Sequence, residues 1–419
     1  MDRLIFHVDV NSAFLSWEAA RRVREGKEDI RLIPSAVGGD REKRSGVILA
    51  KSIPAKRYGV NTGEPVAMAL RKCPSLFIVR PDFKLYESSS NAFAAICKSY
   101  APVVEKFSID ECFLDMSGTG IIYPDPIKIA NEMKDLIRDK LGFTVNIGIG
   151  ENKLLAKMAS DFEKPDKVHT LFSHEIERKM WPLPVRDLFS VGAATAEKLE
   201  SAGIRTIGDI ARCELGAIQV ILGMKFGAQI HAFANGIDDS PVMGEADEAK
   251  GYSNSTTLEK DVCSAEEAYG ILLALSDSVA SRMRNDKGET FCVGITIRGN
   301  DFKDRSHQRR LTESTNITSE IYHITKNLFD ELWDGRMPIR LMGVSLSMIT
   351  RDPSEQMTLF FDEERERSRK VDSVVDTIRK KFGSGTIMPA SSAEASLKVG
   401  RKHKARFDAD TLSKDDTVL

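Results

Sequence analysis

The chain has 419 residues, 42% of them hydrophobic, with a formal net charge of −2 and a pI of about 6.4. This apolar content supports several packed domains and excludes an intrinsically disordered chain. No apolar run reaches the ~20 residues of a membrane span. No secretory signal is visible, and the six cysteines show no metal-binding or disulfide spacing. We therefore expect a reduced, cytoplasmic protein without membrane attachment.

The first element is an apolar run from Leu4 to Val10 that contains a single acid, Asp9. This pattern predicts a central, buried strand with Asp9 at its carboxyl end. The following residues, Ala13 to Arg24, are compatible with a helix. That helix carries Phe14, five residues after the acid. From the residues alone, a core phenylalanine is the more common reading of this position.

A second acidic stretch runs from Phe107 to Asp115 and predicts a largely buried strand pair. Its centre holds two adjacent acids, Asp110 and Glu111, whose side chains point to opposite faces of a flat strand. Both reach one site only if the strand turns or bulges there. A pair of acids alone is more simply a solvated turn. Together with Asp9, however, three carboxylates at strand ends are a suitable ligand set for two Mg²⁺ ions.

These motifs carry a family resemblance. Asp9-Val10-Asn11-Ser12-Ala13-Phe14, together with Ser108-Ile109-Asp110-Glu111, resembles the Y-family DNA polymerases of the bacterial polymerase IV and polymerase V group. The resemblance extends from residue 1 to about residue 360. It implies a template-directed, low-fidelity translesion polymerase that adds dNTPs to a primer 3′-OH with two Mg²⁺ ions per active site. Its partners would be primer-template DNA and dNTP, and it would act as a monomer.

The implied fold is a multidomain α+β right hand with palm, small fingers, helical thumb and βαββαβ little finger. The implied boundaries are palm 1–15 and 81–172, fingers 16–80, thumb 173–240, linker 241–250, little finger 251–352, clamp-binding segment 353–361, amphipathic helix 362–390 and disordered tail 391–419.

The resemblance assigns roles to residues of the first domain. Asp9, Asp110 and Glu111 would be the catalytic, metal-binding carboxylates, with Val10 as a further metal ligand. Phe14 would be the steric gate that contacts the nucleotide sugar and excludes a ribose 2′-OH.

The next motif of the family, Lys51 to Val60, would grip the triphosphate of the nucleotide. Polymerase IV enzymes usually carry Tyr and Arg where this chain has Ile53 and Lys56. Ile53 cannot donate a hydrogen bond, and Lys56 keeps the charge without the bidentate fork of arginine. Lys56 is therefore assigned to nucleotide binding, while the polymerase IV or polymerase V subgroup stays open.

A lysine ridge lies on the helix predicted from Glu151 to Lys164. Lys153, Lys157 and Lys164 fall within roughly 40° of one another at 100° per residue. By resemblance, Lys164 would reach the triphosphate. For Lys153 and Lys157, a solvated face is an equally good interpretation.

Two later regions resemble DNA-binding elements. Residues 190–204 resemble a helix-hairpin-helix, in which Gly192 and Thr195 would contact DNA phosphates. Residues 251–349 have the split βαββαβ pattern of the little finger. Its basic residues, assigned to DNA phosphates, are Arg298, Arg305, Arg309 and Arg310.

The segment after the last predicted strand resembles the peptide that binds the bacterial sliding clamp, the β subunit. Its contact residues would be Gln356, Met357, Leu359 and Phe360. Farther on, residues 362–382 predict an amphipathic helix that docks on the body. Its apolar side chains at helical spacing are Val371, Val374, Val375, Ile378 and Phe382.

Two alternatives stay open at this point. One is a catalytically weak or silent relative that binds only DNA and clamp, a reading that Ile53 permits. The other is a palm-type nucleotide cyclase, because such enzymes also carry a turn like Gly38-Gly39-Asp40. In this chain the same residues are interpreted as a hairpin turn.

Overall fold

The computed structural model describes residues 3–39, 46–244, 248–352, 363–383 and 385–390. These residues form two compact units, which divide near residue 246. The strands are β1 (Ile5–Val10), β2 (Ser35–Gly38), β3 (Ile48–Lys51), β4 (Phe77–Val79), β5 (Val103–Lys106), β6 (Glu111–Asp115), β7 (Val145–Gly150), β8 (Val168–Leu171), β9 (Gly251–Val262), β10 (Glu289–Gly299), β11 (Asp304–Thr315) and β12 (Ile339–Thr350).

Helices connect and cover these strands. They are α1 (Ala13–Arg24), α2 (Ile53–Arg57), α3 (Val66–Lys72), α4 (Phe83–Tyr100), α5 (Pro126–Leu141), α6 (Lys153–Asp161), α7 (Ile176–Lys179), α8 (Ala193–Ser201), α9 (Ile207–Arg212), α10 (Leu215–Leu222), α11 (Met224–Ala234), α12 (Ala265–Asn285), α13 (Thr318–Leu332) and α14 (Glu363–Phe382). Short 3-10 turns lie at Ile30–Leu32, Thr119–Ile121, Ser173–Glu175 and Val185–Asp187.

The first unit is built on a five-stranded sheet in the order β5-β6-β1-β7-β8. β1 lies in the middle, and all six of its residues are buried. On one face of the sheet, Phe6, Val8 and Val10 join a core with α1, α4 and α5. On the other face, α6 packs against β1 and β7. The strand predicted at the N-terminus is thus confirmed as a central, two-sided strand.

A three-stranded sheet, in the order β3-β2-β4, forms a smaller core with α2 and α3. β2 and β3 are antiparallel, with Val37 opposite Ala50, and the Gly39 N–H donates to the Val47 carbonyl at 3.1 Å. β2 and β3 thus pair as the prediction of a hairpin requires, whereas residues 40–45 of their connection, including Asp40, lie outside the described residues.

The region after the five-stranded sheet is helical. α8 to α11 share a core with α6 and with the short α7. α9 begins with a reciprocal cap, because the Thr206 hydroxyl accepts from the Asp209 N–H while the Asp209 carboxylate accepts from the Thr206 N–H. These helices occupy residues 176–234, within the region expected to form a thumb.

The second unit is a four-stranded antiparallel sheet in the order β11-β10-β12-β9, with α12 and α13 on one face. Ser264 caps α12 by accepting the Glu267 N–H, and acids in the first turn and arginines in the last complement the helix dipole. The βαββαβ order predicted from the sequence is confirmed. The sequence predicts the third strand of this pattern over 307–313, whereas β11 runs from Asp304 to Thr315.

Two local predictions were wrong. The sequence of residues 91–107 predicts a helix, but the observed helix, α4, runs from Phe83 to Tyr100 because Asp82 caps its start and Pro102 follows its end. Phe107 lies in a turn and is 45% exposed, so it does not belong to a buried strand.

The helix predicted over 362–382 is present as α14, and it contacts α13. Of its apolar side chains, Val375 and Ile378 are partly buried, whereas Val371, Val374 and Phe382 are exposed. The helix is held by ion pairs, in which Asp372 and Asp376 contact Arg284 of α12.

Candidate active site

Asp9 and Glu111 lie side by side on neighbouring central strands. β1 and β6 are antiparallel, and their register places Asp9 directly opposite Glu111. Side chains at directly opposed positions share one face of the sheet. Because side chains alternate along a strand, His7 lies on the same face as Asp9, opposite Phe113. The face that α6 covers thus carries two of the three predicted carboxylates.

Asp110 occupies the turn between β5 and β6. Its carbonyl accepts the Val10 N–H at 3.0 Å, which ties the turn to the end of β1. The Ser108 hydroxyl donates to the Asp110 carboxylate at 2.6 Å. Asp110 and Glu111 can reach one site only if the chain turns between them, and this turn is observed. The chain thus brings Asp9, Val10, Asp110 and Glu111 together.

The glycines of β7 bring α6 close to the sheet. A Cβ on Gly148 would lie 2.0 Å from the Ala156 carbonyl oxygen and 2.4 Å from the Ser160 nitrogen. On Gly150 it would lie 2.8 Å from the Ala156 nitrogen. Only glycine allows so close an approach of helix backbone to strand. Lys157 on α6 thereby reaches the carboxylates of β1 and β6. The helix ends at Asp161 instead of Lys164, so Lys164 approaches Asp9 from the segment that follows it.

Two lysines neutralise the carboxylates. The Lys157 ammonium group lies 2.9 Å from Glu111 and 3.9 Å from Asp9. Lys164 forms an ion pair with Asp9 and another, at 2.9 Å, with Asp161. Lys157 is therefore part of the site and not of a solvated ridge. Lys153 lies apart, paired with Glu105 at 2.7 Å.

The environment shifts the pKa of each acid differently. Burial raises the pKa of Asp110, the hydrogen bond from Ser108 opposes this, and the charges of Asp9 and Glu111 raise it further. Burial also disfavours the ionised form of Glu111, but the neighbouring His7 side chain and the positive charge of Lys157 outweigh it and lower the pKa of Glu111 to about 2. Glu111 is thus ionised, whereas burial and the neighbouring negative charges disfavour the ionised form of Asp110.

Burial lowers the pKa of His7, although Glu111 favours its charged form. The His7 Nδ1 is hydrogen-bonded to the Ser160 hydroxyl at 2.8 Å, and its Nε2 lies 3.7 Å from Glu111. For Lys157 and Lys164, burial lowers the pKa, but the nearby acids raise it above the ordinary value. Both lysines therefore stay cationic at the carboxylates.

The donor set fits a divalent cation. Carboxylate oxygens are the ligands that Mg²⁺ prefers, and burial together with the charges of Asp9 and Glu111 raises the pKa of Asp110. In the described part of the chain, no three acid, imidazole or thiol groups are gathered closely enough to hold a metal ion as they stand. Lys157 and Lys164 form ion pairs with Glu111 and Asp9, and so compensate negative charge that a divalent cation would otherwise neutralise.

Phe14 lies in the first turn of α1 and is partly buried against the main core. Its ring centroid is 4.7 Å from that of Tyr86 and 5.8 Å from that of Trp17. Phe83, 62% exposed, meets it edge-on at 6.5 Å. One side of the Phe14 ring thus leans on a layer of aromatic side chains.

Lys56 and Ile53 lie on α2, which Ser52 caps by accepting the Ala55 N–H at 3.1 Å. Both side chains are exposed, and a spacing of three residues places them on one side of the helix. The pKa of the neighbouring Lys51 is lowered, first by burial and next by the positive charge of Lys56. This part of the small domain is therefore locally cationic.

Gly192 and Thr195 lie at the start of α8. Gly192 is exposed, with open space around it, and no side chain caps the helix start. The first N–H groups of α8 therefore point outward, the arrangement in which helix N-termini bind phosphates. Ser190 takes a positive φ of 73° where the usual motif has glycine.

The four arginines of the second unit are divided between two faces of the sheet. Arg305 and Arg309 share a face with the core residues Ile297 and Val293, and Arg309 pairs with Glu331 of α13. The open face carries Arg298 and Arg310, together with the small exposed side chains Ser253, Ser255, Ser306 and Ser345.

Arg298 is also paired across strands with Asp304, at 2.6 Å. The predicted clamp-binding residues, Gln356, Met357, Leu359 and Phe360, lie outside the described residues, as does the tail 391–419.

Sequence reasoning missed two parts of the site. His7 has the appearance of a core histidine in an apolar strand, and only the register with β6 reveals its contact with Glu111. Glu18 and Tyr86 lie 68 residues apart, yet they are joined by a hydrogen bond behind Phe14. A charged residue in the buried stripe of α1 was the available signal for Glu18.

Comparison with known families gives matches along most of the chain. Residues 8–161 match the impB/mucB/samB family, and residues 249–359 match the C-terminal domain of that family. Residues 186–238 match a thumb domain described for DNA polymerase iota. The three matches follow one another in the order palm, thumb and little finger.

Curated relatives match over nearly the whole length. DNA polymerase IV of Clostridium acetobutylicum is 42% identical over 392 residues, which cover 93% of this chain and 98% of the relative. DNA polymerase IV of Clostridium kluyveri is 39% identical over 402 residues, with coverage of 93% and 98%. The enzyme of the same name from Alkaliphilus oremlandii is 37% identical over 404 residues, with coverage of 93% and 99%.

Solved structures show the same fold. A chimera of the Y-family DNA polymerases Dbh and Dpo4 has a TM-score of 0.72 at 22% identity and covers 83% of this chain and 100% of its own. DinB from Sulfolobus solfataricus has a TM-score of 0.54 at 22% identity, with coverage of 82% and 98%. Fold and carboxylate geometry together thus define a right-hand polymerase.

The chain belongs to the Y-family of DNA polymerases, as a DinB-like member related to the DNA polymerase IV enzymes. It is accordingly a DNA-directed DNA polymerase of the translesion type, with primer-template DNA and dNTPs as substrates and a requirement for a divalent metal. Neither the cyclase nor the silent relative finds support among these matches. None of the helices in the described ranges is long and apolar enough to cross a membrane.

Proposed function

We propose that Asp9, Asp110 and Glu111, with Val10, hold two Mg²⁺ ions and that the chain transfers nucleotides at this point. The main support is the position of Asp9 directly opposite Glu111 on adjacent central strands. Asp110 is held next to them by the hydrogen bond from the Val10 N–H at the end of β1. Bound there, divalent cations lower the pKa of the primer hydroxyl and neutralise the triphosphate.

In the proposed reaction the primer 3′ oxygen forms a bond to the α-phosphorus of the dNTP. The bond from that phosphorus to the β-phosphate bridging oxygen breaks, and diphosphate leaves. Lys164 now pairs with Asp9. Lys164 would also attract the negatively charged phosphates of the leaving diphosphate. Lys157 stays with Glu111, holding it ionised at the edge of the site.

Phe14 is proposed as the steric gate. Its ring packs against Tyr86 and Trp17, so the ring cannot move away from a sugar that contacts its other side. A ribose 2′ oxygen then has no space. Lys56, exposed on α2 in a cationic region, is proposed to contact the triphosphate together with Lys164.

DNA phosphates are proposed to bind at two places. The first is the open N-terminus of α8 at Gly192 and Thr195. The second is the serine-lined face of the second unit, where small side chains let a phosphate backbone approach and Arg298 and Arg310 supply charge. Arg305 and Arg309 lie on the other face of the sheet, so they would contact DNA phosphates only at the edge of the sheet.

The boundaries of palm, fingers, thumb, linker and little finger given above remain part of the proposal. So do binding of the sliding clamp through Gln356, Met357, Leu359 and Phe360, action as a monomer and residence in the cytoplasm.

Primer extension with purified protein tests the proposed site. The variant D9A/D110A should show no extension in Mg²⁺ while binding primer-template with nearly unchanged affinity, because only the metal ligands are lost. The matched control is Asp115→Asn, an acid on the same strand and face as Glu111 but at the far end. Substantial extension by the double variant would overturn the assignment.

A further inference from the structure

Glu18 is a fully buried carboxylate on α1. A buried charge persists only when it is paired and hydrogen-bonded. Its Oε1 accepts the Tyr86 hydroxyl proton at 2.9 Å, and its Oε2 accepts from the Arg21 guanidinium. Both carboxylate oxygens are thus satisfied by named partners, one from the same helix and one from α4.

Tyr86 bridges Glu18 and Phe14. Phe14 and Glu18 are four residues apart on α1, which puts them on the same side of the helix, one turn apart. The Tyr86 ring spans this turn, since its face leans on Phe14 with centroids 4.7 Å apart and planes tilted by 30°. Its hydroxyl reaches Glu18. Tyr86 is itself fully buried, so its orientation is fixed by these contacts.

The network continues away from Phe14. Arg21 donates to Asp82 at 2.9 Å, and Asp82 caps α4 by accepting the Leu85 N–H at 3.2 Å. Asp82 precedes Tyr86 by one helical turn. Two successive turns of α4 are therefore fastened to α1, one through Arg21 and Asp82 and the other through Glu18 and Tyr86.

We propose that Glu18 is a positioning residue for sugar selection, which acts by holding the Tyr86 ring against the back of Phe14. This inference rests on the proposed role of Phe14 as the steric gate. A gate excludes a 2′-OH only if it cannot move back when pressed. Tyr86 provides the support, and the hydrogen bond to Glu18 keeps Tyr86 from rotating away.

The hydrogen bond between Tyr86 and Glu18 persists over the working pH range of the enzyme. Burial raises the pKa of Tyr86 well above its ordinary value, and the charge of Glu18 raises it further. The hydroxyl therefore remains a donor at any pH at which the enzyme works. Because the acceptor is a charged oxygen, the bond is also stronger than one between neutral groups.

The test measures kcat/KM for a dNTP and for the matching rNTP opposite the same template base. Tyr86→Phe keeps the ring and removes only the hydroxyl that Glu18 holds. The expected fall in discrimination between dNTP and rNTP is about tenfold, the equivalent of one hydrogen bond to a charged group. The kcat/KM for the dNTP should change far less than that for the rNTP. Glu18→Leu should reproduce the effect from the other side of the bond.

The matched control is Asp82→Asn. It removes a charge from the far end of the same network but leaves the Tyr86–Glu18 bond intact, and its amide oxygen can still cap α4. It should keep full discrimination. Melting temperatures of all variants separate a loss of stability from a loss of selectivity, because general destabilisation lowers use of both nucleotides alike.

The double variant F14A/Y86F shows whether Tyr86 acts through Phe14. Phe14→Ala alone should abolish discrimination, and adding Tyr86→Phe should then change nothing. If Phe14→Ala opens the site to rNTPs while Tyr86→Phe and Glu18→Leu keep the full ratio, the inference about Glu18 is overturned and the gate stands. If Phe14→Ala leaves the ratio unchanged, the gate itself fails, and the role of Glu18 fails with it.

Discussion

Asp9 and Glu111 show how the charge of single residues is balanced before any substrate arrives. Asp9 contacts both Lys164 and Lys157, whereas Glu111 contacts Lys157 and stands near the buried His7. Asp110 accepts a hydrogen bond from the Ser108 hydroxyl, and burial together with the charges of Asp9 and Glu111 raises its pKa. The acid with the least compensation is thus the one that gains most from a bound cation.

The exposed face of α2 offers a test of triphosphate binding at the level of single residues. The variant I53Y/K56R restores the side chains that polymerase IV enzymes usually carry. A hydrogen bond to a charged group contributes about 1.5–3 kcal/mol at best, so the KM for dNTP should fall by roughly tenfold. Steady-state incorporation of one nucleotide measures it. An unchanged KM would place these side chains away from the phosphates, leaving Lys164 as the proposed contact.

Lys106 offers a test by pH. Burial lowers its pKa from 10.5 to about 8. Below pH 8 the lysine is charged in both folded and unfolded protein, so folding carries the full cost of burying the charge. Between pH 8 and 10.5 the folded protein has released the proton while the unfolded chain retains it, so stability rises with pH.

Urea unfolding of the wild type and of Lys106→Met measures this effect as a difference, since other groups titrate in the same range. The stability of Lys106→Met relative to the wild type should fall as the pH rises from 8 to 10.5, because only the wild type gains from releasing the lysine proton. A difference that is constant with pH would mean that Lys106 keeps an ordinary pKa in the folded protein.

The element that decides the geometry of the site is α6. Asn152 caps its start by accepting the Leu155 N–H at 2.8 Å, and Gly148 and Gly150 let its backbone approach the sheet. Asn146, buried on β7, donates to the Ser160 carbonyl at 3.1 Å near the end of the helix. The helix is thus fixed at both ends over the carboxylates.

Gly148→Ala tests this packing. Its Cβ would lie 2.0 Å from the Ala156 carbonyl oxygen, so α6 must move away. Overpacking of this kind costs about 3 kcal/mol, and moving Lys157 should reduce activity as well. Chemical denaturation and primer extension measure the two effects. The control is Gly120→Ala, where the space is open and the effect on stability should stay within about 0.5 kcal/mol. Equal stabilities for the two variants would contradict the close approach of α6.

Elements with strong periodicity were predictable, whereas contacts between distant residues were not. The apolar run of β1 and the alternation of the little-finger strands indicate their structure directly. The sequence alone does not show that Asp110 and Glu111 reach the same site, because this depends on the turn at Ser108. For α14, the apolar spacing indicated the helix, but its ion pairs, in which Asp372 and Asp376 contact Arg284, are contacts that sequence periodicity does not reveal.

At the scale of the whole molecule, a net charge of −2 conceals local positive surfaces. The small domain has a cationic region around Lys51 and Lys56, and the open sheet face of the second unit carries Arg298 and Arg310. Affinity for a phosphate backbone depends on such local faces rather than on the total charge. A pI of about 6.4 is therefore compatible with a DNA polymerase.

The clamp-binding proposal belongs to this scale, because it links the polymerase to a partner. The variant L359A/F360A should lose clamp binding, since small peptides concentrate their affinity in a few apolar anchors. Synthesis on a long primed circle with clamp should fall to the unstimulated level, while extension on a short primer-template stays unchanged. A variant that melts at a lower temperature yet still binds the clamp would assign these residues to packing.

The central claim is that Asp9, Asp110 and Glu111 hold the metal ions of nucleotidyl transfer. Counting bound Mn²⁺ by electron paramagnetic resonance tests it most directly, in a complex with dNTP and a primer that lacks its 3′-OH. The wild type and Asp115→Asn should bind two ions per active site, whereas Asp110→Asn should lose at least one. Two tightly bound ions in the D9A/D110A variant would contradict the account, because the metals would then be held elsewhere.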